Sequence, residues 1–419
     1  MSWNAILRSP MHAPRKSQLD SAAEATRQAE LRAALERHAL HFEEQFGRRP
    51  QALFFSPGRV NLMGAHLDYN GGPVAPMAID RGTFFAVAAR SDRLVRFAST
   101  SESGWLETRL DRLAHQRAGR WFDYPLGVLR QLAARGRAGG GVDMLFGGDL
   151  PVGAGLSSSA SICVGTAYVL DQVWGVGLTA LQRVELALNS EREFVGVRCG
   201  IMDPFAVGLA QSGRLLWLDC KDSSYEHLPI DHERYAVAVA DSLVRRELAQ
   251  SAFNQRVAEA AEAFERLRAH CPDAQVLRDI PAAVLDAHER ELPAELARRA
   301  RHVVSEVERT FAARQALMVG DVRAFGARMF ESHRSLRELY EVSAPELDCL
   351  VDAAAASSAV CGARLTGAGF GGCVVMLVER AGAEHALEDV ARAFDERFGR
   401  RPGVALFGPD AGPREITLG

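Results

Sequence analysis

Hydrophobic and polar positions follow two different periods along the chain. From Ser21 onward, apolar residues recur at the spacing of one helix face, which predicts a helix that ends near Gly47. Three short apolar runs predict strands, at 52–55, 83–89 and 94–100. A short polar turn separates the last two runs, so we expect them to pair with each other.

The second half of the chain is dominated by helical patterns. Residues 245–270, 294–320 and 322–338 are rich in Ala, Arg, Glu and Leu, which favour helices. Apolar runs at 236–240 and 373–378 predict strands beside them. This mixture of antiparallel-looking strands and helical runs predicts the α+β class, not a regular βαβ series.

Two domains and an N-terminal arm are expected. The chain has 419 residues, more than a single domain usually contains. A charged, turn-rich stretch near 210–230 marks the predicted boundary, which gives an N-terminal domain at 21–215 and a C-terminal domain at 216–419. Residues 1–20 are polar and aperiodic and predict a flexible arm.

Composition and charge narrow the classes of protein to consider. Hydrophobic residues make up 47% and charged residues 24% of the sequence, with a formal net charge of −4, so neither nucleic acid nor an anionic membrane is an expected partner. No apolar run approaches the ~20 residues of a membrane helix. The first residues lack the apolar segment of a secretion signal, and the 7 cysteines include no CxxC pair. We therefore expect a cytoplasmic protein, and the lack of a heptad repeat favours a monomer.

A Gly/Ser-rich segment at 151–161, PVGAGLSSSAS, has the character of a phosphate-binding loop. Gly153 and Gly155 permit close approach of the backbone to a ligand, and the serines open a predicted helix. Free N–H groups at a helix N-terminus suit a polyphosphate. The segment lacks the lysine and the spacing of a P-loop. Taken alone, it is equally well interpreted as a turn with an N-cap serine.

A second cluster of polar residues lies between glycines in GRVNLMGAHLDYNGG. Arg59, His66, Asp68 and Asn70 are side chains that bind polyols or phosphates, although Asp and Asn in such a turn also cap local backbone. Farther along, Asp203 in CGIMD is either a partly desolvated base or a helix cap. On its own, the cap is the better interpretation of Asp203.

Four motifs occur in the order SPGRVNLMGAHLDYNGG, PVGAGLSSSAS, CGIMD and LTGAGFGGC. Together they resemble the successive motifs of the GHMP kinase superfamily, and in detail those of the galactokinase family. Stretches at 301–309 and 331–340 are also similar to galactokinases, so the resemblance covers roughly residues 26–380. It implies a two-domain GHMP kinase architecture, with a mixed-sheet N-terminal domain, an α/β C-terminal domain and an active site in the cleft between them.

The resemblance also implies a reaction and a set of site residues. A galactokinase transfers the γ-phosphoryl group of ATP to the anomeric hydroxyl of galactose, with ATP and Mg²⁺ as cofactors. Following the family pattern, Asp203 would orient or accept the proton of the sugar hydroxyl, and Arg59 would stabilise developing charge. Ser159 and Glu191 would hold Mg²⁺. The ATP phosphates would lie against Gly153, Ala154, Gly155, Leu156, Ser157, Ser158 and Ser159.

The predicted sugar contacts are the least typical part of the pattern. They are Ala65, His66, Asp68, Gly200 and Phe253. Galactokinases usually carry Glu where this chain has Ala65 and Tyr where it has Phe253. Loss of the hydrogen bond that the C6 hydroxyl donates to this charged carboxylate costs ~1.5–3 kcal/mol, so galacturonate or L-arabinose are alternative acceptors. A galactokinase-like sensor without turnover is a further alternative, which the intact GLSSSAS segment disfavours.

Overall fold

The computed structural model describes residues 18–113, 116–150, 155–197, 199–244 and 249–418. The α-helices among them are α1 (Gln18–Phe46), α2 (Asp123–Ala134), α3 (Ser158–Trp174), α4 (Ala180–Asn189), α5 (Met202–Gly208), α6 (Ala249–Leu267), α7 (Ala282–His288), α8 (Ala294–Met318), α9 (Val322–Ser335), α10 (Pro345–Ala355) and α11 (Ala383–Phe398). Two π-helical turns, Ser190–Val195 and Leu336–Tyr340, follow α4 and α9. Short 3₁₀ turns occur at Asp68–Asn70, Arg268–His270, Leu277–Asp279, Glu289–Glu291 and Arg380–Gly382.

The strands form three sheets. They are β1 (Ala52–Asn61), β2 (Pro73–Val74), β3 (Pro76–Ala89), β4 (Leu94–Ser99), β5 (Leu106–Arg109), β6 (Val142–Gly148), β7 (Arg214–Asp219), β8 (Tyr225–Pro229), β9 (Tyr235–Asp241), β10 (Val360–Thr366), β11 (Cys373–Glu379), β12 (Gly403–Phe407) and β13 (Arg414–Glu415). The largest sheet has the order β13-β1-β3-β6-β4-β5, the second β10-β11-β9-β12, and the third β2-β7-β8. Helices and antiparallel-rich sheets are mixed along the chain, as the predicted α+β class requires.

The predicted pairing of β3 with β4 is wrong, because β6 lies between them. β6 is antiparallel to β3 and parallel to β4. The turn after β3 bonds to the residue before β6 instead of closing a hairpin: Arg90 N–H donates to Gly141 O at 2.9 Å, and Gly141 N–H donates to Asp92 O at 2.6 Å. Asp143 on β6 is fully buried and forms ion pairs with Arg90, which directly follows β3, and with Arg96 on β4. This ion-pair network stabilises the inserted strand.

The largest sheet is covered on both faces, and the alternation along β1 shows how. Phe54 packs with the side chains of α2 and α3 on one face, whereas Phe55 packs against α1 on the other. Successive strand residues point to opposite faces, so a run of apolar residues fills two layers. α1 begins at Gln18, inside the predicted arm, and residues 1–17 of that arm lie outside the described residues. Within the described residues, no helix has the length and apolar character that crossing a membrane requires.

Contacts between the two halves of the chain cross the predicted boundary. The position between residues 215 and 216 falls inside β7, which pairs with β8 and with β2. At the end of the chain, β13 pairs with β1 of the largest sheet. The start of α4 is fixed by its N-cap residue, because the side chains of Thr179 and Gln182 form a capping box.

Candidate active site

The centre of the site is an ion pair between Arg59 on β1 and Asp203 in the first turn of α5. The guanidinium donates from Nε to Oδ1 at 2.8 Å and from Nη2 to Oδ2 at 2.7 Å, which is a bidentate, charge-assisted arrangement. Its Nη1 donates to Gly155 O at 2.7 Å. Arg59 is buried, whereas the Asp203 side chain is 28% exposed. Arg59 therefore joins the end of β1 both to α5 and to the segment that leads into α3, and the Asp203 carboxylate lies on the exposed side.

The segment that leads into α3 contributes backbone and hydroxyl groups. Ser157 has a φ of 58° immediately before the helix, and its hydroxyl donates to Asp203 Oδ2. Gly155 and Ser158 are exposed, so they are accessible to a ligand at this helix end. The Leu156 side chain is buried in the core, and its carbonyl accepts from Arg59 N–H at 3.1 Å. Gly153 and Ala154 lie outside the described residues.

Glu191 lies in the π-helical turn after α4 and is buried beside Ser159. Burial, followed by the negative charge of Asp203, raises the pKa of Glu191 to about 7, although a hydrogen bond from Ser159 opposes the shift. Cys199 Sγ lies 3.9 Å from Glu191 Oε2. A buried carboxylate beside a hydroxyl and a second carboxylate is a suitable donor set for a hard divalent cation. π-helical turns of this kind often occur at functional sites.

The Asp68 side chain lies directly against Gly200, three residues before Asp203. A Cβ atom added to Gly200 would lie 2.0 Å from Asp68 Oδ2, so only glycine permits this approach of the 199–203 segment. Burial, followed by the charge of Asp203, raises the pKa of Asp68 to about 6. The charge of Asp203 therefore acts directly on the Asp68 carboxylate. The guanidinium of Arg59 has the opposite effect and lowers the pKa of Asp68.

His66 is surrounded by aromatic rings. The ring centroids of Tyr340 and Phe253 lie 4.9 Å and 5.8 Å from that of His66, and His66 Nδ1 is 2.9 Å from the Tyr69 hydroxyl. Burial lowers the pKa of His66 to about 3, so the ring is neutral. Its Nε2 is buried near the backbone of Ala368 and makes no hydrogen bond of normal geometry among the described residues. An unsatisfied buried nitrogen of this kind suits a hydroxyl-bearing ligand.

Sequence reasoning missed the two tyrosines that support His66. The Tyr69 and Tyr340 hydroxyls are 2.8 Å apart, although 271 positions separate them in the chain. Both lie inside stretches that carry the family resemblance, and that was the available signal. Asn70 has the structural role that its position suggested, because its side-chain amide donates to His66 O at 2.7 Å.

Known families match this chain over both halves. The galactokinase galactose-binding signature matches residues 40–89, which include Arg59, Ala65, His66 and Asp68. The GHMP kinase N-terminal domain matches residues 123–211, and the GHMP kinase C-terminal domain matches residues 313–396. The order of these matches is that of the motifs described from the sequence.

Individual relatives cover most of the chain. It is 42% identical to a galactokinase of Roseiflexus sp. (strain RS-1) over 360 residues, or 86% of this chain and 91% of that protein. It is 39% identical to a galactokinase of Enterococcus faecalis over 380 residues, or 90% of this chain and 98% of that protein.

Solved structures agree with the observed architecture. The crystal structure of Lactococcus lactis galactokinase complexed with galactose matches with a TM-score of 0.86 and 33% identity, covering 91% of this chain and all of that one (100%). Methanococcus jannaschii mevalonate kinase matches with a TM-score of 0.61 and 18% identity, over 85% of this chain and 98% of that one. This second likeness concerns the fold alone.

Proposed function

The chain belongs to the galactokinase family of the GHMP kinases, and from that premise we propose that it phosphorylates galactose at its anomeric hydroxyl with ATP. In this reaction the hydroxyl oxygen forms a bond to the γ-phosphorus, and the bond between that phosphorus and the ADP oxygen breaks. The hydroxyl proton is released. The products are galactose 1-phosphate and ADP.

One observation carries the proposal: Arg59 contacts both sides of the site. Its guanidinium binds both carboxylate oxygens of Asp203 and also the carbonyl of Gly155, at the start of α3. Asp203 in turn acts electrostatically on Asp68, one of the predicted sugar contacts. Phosphoryl transfer asks a protein mainly for positioning and for stabilisation of charge between acceptor and phosphate. Arg59 is placed to supply both.

We assign Asp203 to the C1 hydroxyl of the sugar. Its carboxylate is held in one orientation by Arg59 and by the Ser157 hydroxyl. A fixed carboxylate can accept a hydrogen bond from the sugar hydroxyl and direct that oxygen toward the γ-phosphorus. On this assignment Arg59 stabilises the negative charge that develops between the two substrates. Sugar hydroxyls away from C1 are assigned to Asp68 and to Nε2 of His66.

Ser159 and Glu191 fit a Mg²⁺ ion. Both offer oxygen donors. Burial and Asp203 raise the pKa of Glu191 to about 7, and a cation bound there would favour its anionic form. Mg²⁺ favours a few such oxygens together with phosphate and water. When bound, the ion supplies charge neutralisation for the phosphates.

We place the ATP phosphates at the N-terminal end of α3. Gly155 and Ser158 are exposed there, and the first N–H groups of a helix, together with its dipole, favour anions. Gly153 and Ala154 belong to the same predicted segment. We further propose that the protein acts as a monomer in the cytoplasm, with a small-molecule sugar and ATP as its partners.

A sugar altered at C6 is the second candidate acceptor, because of the side chains that lie around His66. Phe253 packs there without the hydroxyl of a tyrosine, and Ala65 carries no acceptor. Galacturonate and L-arabinose either change or lack the C6 hydroxyl that these side chains leave without a partner. The proposal for galactose nevertheless has the support of relatives that are named for this activity.

The test is ADP release by the purified protein with Mg-ATP across five sugars: galactose, galacturonate, L-arabinose, glucose and N-acetylgalactosamine. We expect the highest kcat/KM with galactose. Turnover mainly with galacturonate or L-arabinose would favour the second candidate. Tight binding of sugar and ATP without release of ADP would instead indicate a sensor.

A further inference from the structure

Residues 61–67 form a buried segment that consists of the last residue of β1 and the loop after it. Local backbone hydrogen bonds satisfy part of this segment, among them Leu62 N–H to Ala75 O at 3.1 Å and Leu67 N–H to Gly64 O at 3.3 Å. All seven are buried, and the loop connects β1 to the 3₁₀ turn Asp68–Asn70 that carries the predicted sugar contacts. Buried backbone N–H and C=O groups need hydrogen-bond partners. The remaining groups of this loop must therefore be bound by other parts of the chain.

Side chains from the C-terminal half of the chain bind this loop at its start and at Ala65. Arg364 on β10 donates from Nη2 to Asn61 O at 2.6 Å and from Nε to Leu62 O at 2.8 Å. On α8, Glu306 Oε1 accepts from Ala65 N–H at 3.3 Å, and His302 Nε2 lies 3.3 Å from Ala65 O. We call His302, Glu306 and Arg364 the loop clamp.

The two α8 residues are four positions apart, which puts them on one helix face. The backbone of Ala65 is therefore bound at both of its polar groups. A carboxylate accepts from its N–H, and an imidazole contacts its C=O. Burial lowers the pKa of His302 to about 3, so the ring is neutral. Since Nε2 faces a carbonyl, it carries the hydrogen and donates.

Further side chains, two on α9 and one on α8, orient the two clamp residues of α8. Ser335 Oγ lies 2.8 Å from His302 Nδ1, which accepts its hydrogen. Ser332 Oγ donates to Glu306 Oε1 at 2.6 Å, and Arg309 also donates to the Glu306 carboxylate. These residues lie within or beside the two stretches, 301–309 and 331–340, that resemble galactokinases and that the proposed reaction does not otherwise use.

We propose that the loop clamp positions galactose, by fixing the backbone of residues 61–66 so that His66 and Asp68 meet the sugar in one geometry. His66 follows Ala65 directly and has a φ of 58°, a conformation that a non-glycine residue keeps only when its surroundings hold it. The inference rests on the proposed function, because it assigns the loop to the sugar. His302, Glu306 and Arg364 act through the loop and are positioning residues.

Because of the clamp, the conformation of the loop does not depend on which side chain is present at position 65. Both hydrogen bonds at this position involve the peptide and not the side chain. The chain can therefore carry Ala65 where relatives carry glutamate and still present His66 in the same place. We infer that the loss of that side chain changes what the pocket offers to C6 and leaves the loop conformation unchanged.

The test compares ring-conserving and acceptor-conserving variants. His302→Phe keeps the ring that packs on Tyr340 and removes its nitrogens, and Glu306→Met removes the acceptor. In both variants we expect the galactose KM to rise about tenfold, the effect of one lost hydrogen bond, with the ATP KM changed less than about twofold. Glu306→Gln keeps an acceptor oxygen and should restore most of the galactose KM. Glu308→Gln, exposed on the same helix, is the matched control.

A milder variant and a direct readout keep the test decisive. Ser335→Ala removes only the group that orients His302, and we expect a smaller rise in galactose KM with a native melting temperature. Hydrogen exchange of a peptide covering residues 61–70 should quicken in each clamp variant and not in Glu308→Gln.

Unchanged exchange together with a wild-type galactose KM in the folded variants would overturn the clamp. An equal rise in both substrate KM values would also overturn it, because that indicates general destabilisation. If the wild-type protein does not phosphorylate galactose at all, the proposed function fails. The assignment of the loop to galactose then fails with it, and the exchange experiment still reports on the clamp itself.

Discussion

The two loops that meet at Arg59 are held in different ways. The sugar-side loop, residues 61–67, is buried throughout and is bound by arginine, glutamate and histidine side chains from β10 and α8. In the described part of the phosphate-side loop, residues 155–159, Gly155 and Ser158 are exposed. Its contacts with Arg59 are made by the carbonyls of Gly155 and Leu156.

This difference fits the two substrates proposed for the site. Sugars differ in the orientation of single hydroxyl groups, so a loop that discriminates among them must hold its side chains in one geometry. A polyphosphate is recognised through charge and backbone N–H groups, which need to be accessible. Variants on the two sides should therefore change different kinetic quantities.

The largest effect is expected at Asp203, which forms the ion pair with Arg59. Asp203→Asn removes the charge that pairs with Arg59 and the acceptor for the sugar hydroxyl, and we expect kcat to fall by about 10²–10⁴-fold. Binding of galactose and ATP, measured by calorimetry, should change far less. Asp222→Asn, at an exposed turn, is the control. Near-normal turnover of Asp203→Asn would remove this residue from the mechanism.

On the phosphate side, Glu191→Gln tests the metal assignment. The variant removes a negative oxygen donor, so the Mg²⁺ concentration for half-maximal rate should rise by roughly 10- to 100-fold, the range typical of disturbed metal sites. The galactose KM at saturating Mg²⁺ should stay near the wild-type value. A Mg²⁺ requirement equal to that of wild type, or a selective rise in galactose KM, would contradict the assignment of Glu191 to the phosphate side.

Sequence patterns predicted elements better than their arrangement. The bounds of β9 and β11 follow from local apolar runs and were predicted to within a residue at each end. The position of β6 between β3 and β4 was not, because it depends on Asp143 meeting arginines from distant segments. No local period contains that information.

The site residues show the same difference between what local sequence patterns predict and what depends on distant contacts. Arg59, Asp68 and Asp203 were predicted as site residues because they lie in recognisable motifs. Glu191 was predicted from the family pattern. The contacts of His302 and Glu306 with Ala65 join residues more than 230 positions apart, so neither helical spacing nor composition could indicate them. Only the family resemblance of the 301–309 stretch pointed to a role, and it did not say which.

On the sugar side, a pH dependence should come from Asp68. Because burial and Asp203 raise the pKa of this carboxyl to about 6, it is anionic above pH 6 and becomes protonated below it. Galactose binding that uses the anion should weaken as the pH falls from 7.5 to 5, by about tenfold at one pH unit below the pKa. Calorimetry without nucleotide isolates this effect from that of Glu191. Asp68→Asn should give a flat profile, and an unchanged slope in that variant would assign the dependence elsewhere.

The smallest effect is expected from adding a hydroxyl to Phe253, one of the side chains that lie around His66. The Phe253 ring lies 5.6 Å from the Tyr69 ring, between centroids, and Phe253→Tyr adds one neutral hydrogen-bonding group there. A neutral hydrogen bond contributes about 1 kcal/mol, so the galactose KM should fall by roughly fivefold, while the KM for L-arabinose, which lacks C6, stays the same. Phe311→Tyr makes the same chemical change at an exposed position on α8 and should alter neither. Because the clamp holds the loop through the backbone of Ala65, a selective gain for galactose would show that side chains packed around a fixed loop set sugar preference. An equal gain for both sugars would mean that the hydroxyl acts on the loop and not on C6.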